Sequence, residues 1–278
     1  QMCIRDSGGP ADILVLPESI EQLREVLKVV KETVVPLTLL GNGSNVLVRD
    51  KGIRGIVIKL GNMLRHFYEA EDLLVFGSGY SLALASYKAM ECGKTGMEFA
   101  VGIPGSIGGA VYMNAGAYDG EMQNIVNCVK VMDLQGNERV LTAEELNFGY
   151  RKTSLQNSGL IVTEVTLKMP SGNKDEIKSK MDDFSHRRIS KQPLEMPSAG
   201  SMFKRPPGYF AGTLIDQAGL KGYTVGGAQI STKHAGFVVN VGGATAADVL
   251  QLIKDVQTKI KAGVGVELQP EVLVIGEE

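Results

Sequence analysis

Several polar side chains sit where a chain presents groups to a cleft, among glycines or beside proline. Arg151 follows Tyr150 at the end of Asn147-Phe148-Gly149-Tyr150-Arg151. Ser201 is preceded by Gly200, Lys204 and Arg205 lead into Pro206-Pro207, and Glu271 follows Pro270 in an otherwise apolar run. An arginine fork grips carboxylates, and a hydroxyl or carboxyl group can move a proton. Each position also has a plainer account. Arg151 suits a surface ion pair, since arginines are mostly exposed, and Glu271 is either on an exposed edge or buried with a purpose. Ser201 and Lys204 further spell S-x-x-K, and Lys94-Thr95-Gly96 spells K-T-G, both elements of penicillin-recognising serine enzymes. That acyl-serine hydrolase is a rival reading whose context opposes it. The serine should open a helix, the K-T-G precedes rather than follows it, and S-D-N is missing.

Two backbone-rich loops suggest what such groups would act beside. Residues 96–121, GMEFAVGIPGSIGGAVYMNAGAYDGE, hold seven glycines, with the densest part at Gly102, Ile103, Pro104, Gly105, Ser106, Gly108, Gly109 and Ala110. Residues 40–48 read LGNGSNVLV, an apolar run broken by Gly41, Asn42, Gly43, Ser44 and Asn45. Glycine permits positive φ and close approach to the main chain, so successive N–H groups can converge on an anion. Two such loops favour a diphosphate, though glycine clusters also form tight loops that bind nothing. A dinucleotide fingerprint would need its third glycine where Val46 stands, and a P-loop ending at Gly93-Lys94-Thr95 would need glycine where Lys88 stands.

The elements that position these groups must come from a chain of 278 residues, long enough for one large or two to three small domains. A net charge of −2 and a pI near 6.0 give no basic excess, so nucleic acid is not expected as a partner. No apolar run of ~18 residues offers a membrane span, and no charged-then-apolar start resembles a signal peptide. A cytoplasmic protein without membrane insertion is expected. Three cysteines and three histidines lie far apart without metal-ligand spacing, so neither a metal nor a disulfide framework is expected.

Residues 1–7, QMCIRDS, show no periodicity, and the chain does not begin with Met, which reads as a truncated or altered start. Strands are expected at 13–16, 35–40, 46–48, 55–60 and 73–76. Ser19 and Gln22 cap a helix striped by Ile20, Leu23, Leu27 and Val30, and a second helix covers 81–92. Residues 126–133 and 138–141 flank a Gln135-Gly136-Asn137 turn. Thr142 and Glu145 have the spacing of a brief helix, 160–169 alternates as a strand, and Asn173 with Glu176 starts a helix. The last part predicts a short helix at 213–218, a strand at 236–241, a helix striped by Val249, Ile253, Val256 and Ile260, and a strand over 266–275 interrupted by Pro270. The fold class is α+β.

Taken together and in this order, LGNGSN, GIPGSIGGAVYMNAGAYDGE, YR, AGSMFKRPPG, STKHAGFVVN and QPEV resemble the UDP-N-acetylenolpyruvoylglucosamine reductase (UDP-N-acetylmuramate dehydrogenase) family, in its compact variant without an extra tyrosine loop. The resemblance runs from Gly8 onward. It implies a two-part FAD-binding domain of the PCMH, vanillyl-alcohol-oxidase-like type followed by a smaller α+β substrate domain. The implied parts are 8–70 (joined by the C-terminal strand near 270–278), 71–190 and 198–269. It also implies FAD as cofactor, NADPH as hydride donor, and reduction of UDP-N-acetylglucosamine enolpyruvate to UDP-N-acetylmuramate for peptidoglycan. By position, Ser201 is then the proton donor, while Arg151 and Glu271 stabilise the carboxylate and enolate. Tyr150, Lys204 and Arg205 meet the substrate, where other members often carry Asn in place of Arg205. Gly41 to Asn45 and Gly102 to Ala110 line the FAD diphosphate. QMCIRDS does not match the family, which leaves a non-catalytic FAD-binding remnant as the alternative.

Overall fold

A computed structural model describes residues 8–60 and 64–278; the irregular start at 1–7 lies outside the described residues. In chain order the elements are β1 (Ala11–Val15), α1 (Ile20–Thr33), β2 (Leu37–Leu40), β3 (Val46–Val48), β4 (Ile53–Lys59), β5 (Phe67–Ala70), β6 (Leu73–Gly77), α2 (Leu82–Glu91), α3 (Ile107–Tyr112), β7 (Gly116–Ala117), β8 (Gly120–Glu121), β9 (Val126–Met132), β10 (Glu138–Thr142), β11 (Ile161–Lys168), α4 (Lys174–Lys191), β12 (Ser198–Ser201), α5 (Ala211–Gln217), β13 (Thr224–Val225), β14 (Ala228–Ile230), β15 (Phe237–Asn240), α6 (Ala246–Val264) and β16 (Leu273–Ile275). They form two compact units, and the chain passes between them more than once. The larger unit holds Leu14–Asn42 and Gly55–Arg187, and the smaller holds the described residues through Ile13, Gly43–Arg54 and Arg188–Glu278.

The larger unit is built on a five-stranded antiparallel sheet in the order β10-β9-β11-β6-β5. Alternation along β11 sends Val165 and Leu167 to a fully buried face, where they meet Phe76 and Val129 of the sheet, Leu82 and Ala85 of α2, and Ile107 and Val111 of α3. Each large side chain taken out of water there contributes roughly 1.5–3 kcal/mol. A second cluster in this unit carries out the α1 stripe: Leu23 and Leu27 pack on Ile56 and Ile58 of β4, which runs parallel to β2. Ser19 caps α1 by accepting from Gln22 N, and the Gln22 side chain accepts from Glu18 N at 2.8 Å. The Gln135-Gly136-Asn137 turn joins β9 to β10, with Gly136 at φ +85° and Asp133 Oδ1 accepting from Gln135 N and Asn137 N.

The smaller unit has a four-stranded antiparallel sheet, β12-β15-β14-β13, covered by α6. The α6 stripe of Val249, Leu252, Ile253, Val256 and Ile260 is buried with Ile215, Val238 and Leu47. A full capping box between Thr245 and Asp248 starts α6, and Asp50 also accepts from Ala246 N and Ala247 N at 2.7 and 2.9 Å. β3 lies parallel to β16.

Two expected elements differ. Thr142 and Glu145 make both capping bonds, 2.8 and 3.3 Å, yet the segment is a turn, because Asn147 at φ +43° leaves the helical region after one cycle. The strand expected over 266–275 is confined to Leu273–Ile275. Pro270 has no N–H for a ladder, and the preceding carbonyls of Leu268 and Gln269 accept instead from Gln257 Nε2 and Lys204 N, both at 2.8 Å.

Candidate active site

In the larger unit the start of the first glycine loop, through Asn42, meets the second. A Cβ placed on Gly41, just after β2, would lie 2.8 Å from Ser106 Oγ. The second loop is tied down by Leu82 N donating to Gly105 O (3.0 Å), Ile107 N to Tyr80 O (2.9 Å) and Gly108 N to Ser78 O (2.9 Å). Ser106 then caps α3, a helix not expected from the sequence, by accepting from Gly109 N at 3.3 Å. Ahead of it, Glu98 fixes the start of the stretch by accepting from Thr95 Oγ1 (2.6 Å) and Gly96 N (2.8 Å). Burial opposes the Glu98 charge, but these bonds hold its pKa below the usual carboxylate value.

The N–H groups of Asn42, Gly43, Gly102, Gly105 and Ser106 donate to no backbone carbonyl among the described residues. Gly43, Gly102 and Gly105 have positive φ, and a Cβ on Gly43 would meet nothing within 4 Å among the described residues. Such uncommitted amides on a left-handed backbone suit phosphate oxygens. Ser78 Oγ is buried with no hydrogen-bond partner among the described residues, and a Cβ on the adjoining Gly108 would sit 2.7 Å from Ser78 Cβ. Gly108 therefore answers a close approach within the protein itself, whereas Gly43 has no such neighbour among the described residues.

The same unit presents Arg151. Gly149 and Lys152 exchange backbone bonds of 2.9 and 3.1 Å, leaving Tyr150 and Arg151 at the tip of a tight turn with Arg151 at φ +54°. The guanidinium lies 5.2 Å from the exposed Tyr150 ring. Its Nη1 and Nη2 donate to Asn114 O (3.3 Å) and Gly116 O (3.0 Å). Asn114, which sequence reasoning passed over, is fully buried beneath this turn. A lone asparagine inside a glycine-rich run was the only signal, and it does not distinguish a brace from a loop residue.

In the smaller unit, Ser201 closes β12, opposite Phe237, with Gly200 before it at φ +87°. The next residues run alongside the segment that carries Glu271. Lys204 N donates to Gln269 O and Glu271 N to Met202 O, both at 2.8 Å, and Phe203 bridges Pro270. Glu271 is half-buried outside any strand, and its carbonyl accepts from Asn45 Nδ2 at 3.2 Å. This unit thus brings Ser201, Lys204, Glu271 and Asn45 onto one strip. The Arg205 guanidinium stands 4.0 Å over the exposed Phe210 ring. The S-x-x-K hydrolase needs its serine at the start of a helix, and Ser201 instead ends a strand. His234 lies beside Ser201 in this unit. Its Nδ1 accepts from Gly236 N at 3.1 Å, and a Cβ on Gly236 would stand 3.1 Å from its Cε1 and 3.6 Å from Ser201 Oγ. Burial holds the His234 pKa below the usual histidine value.

Residues 11–142 match the model of the FAD binding domain family, and residues 192–275 match that of the UDP-N-acetylenolpyruvoylglucosamine reductase C-terminal domain. The architecture is accordingly the PCMH-type FAD-binding fold with that C-terminal domain, as the motifs implied. UDP-N-acetylenolpyruvoylglucosamine reductase of Clostridium perfringens is 52% identical over 271 residues, covering 98% of this chain and 89% of the relative. That of Pediococcus pentosaceus is 49% identical over 278 residues, covering 98% and 90%. The crystal structure of the reductase (MurB) from Thermus caldophilus, 40% identical, superposes with a TM-score of 0.82 over 96% of this chain and 93% of that one. With half of its residues shared across nearly its whole length, and both family regions in the expected order, the chain belongs to the UDP-N-acetylenolpyruvoylglucosamine reductase family.

Proposed function

We propose that this protein reduces UDP-N-acetylglucosamine enolpyruvate to UDP-N-acetylmuramate for peptidoglycan precursor synthesis, as an FAD enzyme with NADPH as hydride donor. The observation that carries the flavin reading is the meeting of Gly41 with Ser106, which sets the start of the first loop beside the second, both with uncommitted amides, in the FAD-binding region. Gly41, Asn42, Gly43, Ser44 and Asn45 and residues 102–110 hold the diphosphate, with Gly108 keeping the second loop against Ser78. The FAD-binding part takes in 8–70 with the C-terminal strand near 270–278 and 71–190, and 198–269 binds substrate. Among the described residues no helix is long and apolar enough to cross a membrane, and the UDP-sugar and NADPH suit work in the cytoplasm.

Reduced FAD supplies the hydride for the enolpyruvyl double bond. The protein's own groups manage the charge this creates beside the substrate carboxylate. Arg151 grips that carboxylate and the developing enolate oxygen, for which a planar, permanently charged donor is suited. Glu271 is the second group assigned to the enolate that develops there. The Ser201 hydroxyl gives its proton to the substrate carbon. Tyr150 stacks on Arg151 and lines the substrate, while Lys204 and Arg205 meet its acidic groups.

The test separates the two half-reactions. The protein should be yellow, bleach anaerobically with NADPH, and regain colour when the enolpyruvyl substrate is added. Ser201→Ala should bleach normally but reoxidise roughly 10²–10⁴-fold more slowly, the range for a lost general acid. Unchanged reoxidation would remove Ser201 from the mechanism, and a yellow protein that never reoxidises with substrate would favour the non-catalytic remnant.

A further inference from the structure

Asn114 uses every polar atom it has. Its Oδ1 accepts from Gln123 N (3.0 Å), and its Nδ2 donates to Glu121 Oε2 (3.1 Å) and Gly149 O (3.0 Å). Its main-chain N–H donates to Val111 O (3.0 Å), and its carbonyl accepts from Arg151 Nη1 (3.3 Å). It is fully buried at the end of α3, at φ +43°, a left-handed conformation that asparagine tolerates better than most residues. A buried amide with both N–H bonds and its oxygen satisfied is fixed in orientation.

These contacts converge on one object. The side chain holds Gly149 O, at the base of the turn that carries Arg151, while the carbonyl of the same residue holds the Arg151 guanidinium. The second terminal nitrogen reaches Gly116 O in β7, which pairs with Glu121 of β8, and Glu121 is the carboxylate that receives the Asn114 amide. Gln156 closes the other side, donating to Arg151 O (3.1 Å) and to Tyr112 O (3.2 Å) at the end of α3. The main chain and the fork of Arg151 are thus referenced to one buried residue.

We propose that Asn114 is the positioning residue for Arg151: by binding the base of its turn and the tip of its side chain, it sets where the guanidinium stands for the substrate. This rests on the role given to Arg151 above. A misplacement of about 1 Å can lower a rate by roughly 10²-fold, so a residue that never touches substrate still governs the chemical step.

Asn114→Asp retains the φ tolerance and the acceptor for Gln123 N, but turns the donor into a carboxylate facing Glu121 and Gly149 O. It should slow flavin reoxidation by the enolpyruvyl substrate by about 10- to 100-fold, with bleaching by NADPH and flavin content near those of the parent and a lowered melting temperature, since the new carboxylate is buried against Glu121. Should that variant not fold, Glu121→Ala removes one acceptor of the same amide and should slow reoxidation several-fold, while Glu121→Gln, which keeps an acceptor oxygen, should restore it. The deciding readout is the pair with Arg151→Lys. If Asn114 acts through Arg151, adding Asn114→Asp or Glu121→Ala to Arg151→Lys costs little further. A full multiplicative loss in the double variant, or parental reoxidation in both Asn114→Asp and Glu121→Ala, overturns the proposal. Parental turnover in Arg151→Lys alone would instead overturn the role of Arg151, and this inference with it.

Discussion

Arg151 and Glu271 serve the same proposed reaction but are held by different means. Arg151 stands on a left-handed turn, and its side chain is fastened through its own nitrogens to Asn114 O and Gly116 O. Glu271 is placed through its main chain: its N–H bonds to Met202 O, its carbonyl takes a bond from Asn45, and the neighbouring Lys204–Gln269 and Phe203–Pro270 pairings run beside it. Ser201 belongs to the second kind, set by its place opposite Phe237 at the end of β12. A group fastened by its side chain can be displaced by changing one neighbour. One set by backbone pairing keeps its position when its own side chain is replaced, so substitutions there report on chemistry with little disturbance of geometry.

The largest effect expected from this contrast is at Arg151. Arg151→Lys keeps the charge but removes the fork that reaches two carbonyls, so turnover should fall by roughly 10²–10³-fold with normal flavin content. Glu271→Gln keeps every main-chain bond of its strip, and its loss of turnover should come with flavin content like that of the parent. Near-parental turnover in both would assign the two residues to structure, and a lowered melting temperature for Glu271→Gln would show that its side chain also holds the strip.

A smaller effect distinguishes the glycine loops. Gly108→Val drives a side chain into Ser78, an overpacking that costs about 1–3 kcal/mol, and should lower the melting temperature even without flavin. Gly43→Val meets no neighbour among the described residues but strains a residue at φ +70°, and should lose flavin with a lesser change in stability. Equal flavin retention in both would remove these loops from the diphosphate site.

The motifs made the family, the α+β class and the long helices legible, because capping residues and stripes such as Ile20, Leu23 and Leu27 act locally. The polar candidates were legible as types but not as arrangements. Nothing in the local sequence distinguishes Gly108, which answers Ser78, from Gly43, which has no such neighbour among the described residues. Nor could spacing show that a buried asparagine reaches across 35 positions to the turn of Arg151. The missed α3 has the same origin, since two of its six residues are glycine and its stability comes from the packing of Ile107 and Val111.

The smallest effect concerns His234, which stands beside the Ser201 strip. Burial depresses its pKa, and its Nδ1 already accepts from Gly236 N, so the folded protein resists the proton that the unfolded chain takes up. Its contribution is complete above the ordinary histidine value of 6.5 and is lost as pH falls below that toward the depressed native value. His234→Asn, which keeps an acceptor without titrating, should flatten the fall in melting temperature between pH 7 and 5 by about 2 °C or less. An identical slope in parent and variant would place the acid sensitivity elsewhere.

The division of the smaller unit among distant segments has a consequence for how the protein is made. Leu47 of β3 is buried among residues that follow Arg188, β3 pairs with β16 alone among the described residues, and Asn45 and Glu271 are 226 positions apart in the chain. At a synthesis rate of about 5–20 residues per second, the Val46–Val48 strand waits roughly 10–45 s on the ribosome for its partner. Throughout that interval an apolar strand edge is without its native partner strand and open to pairing with a wrong neighbour.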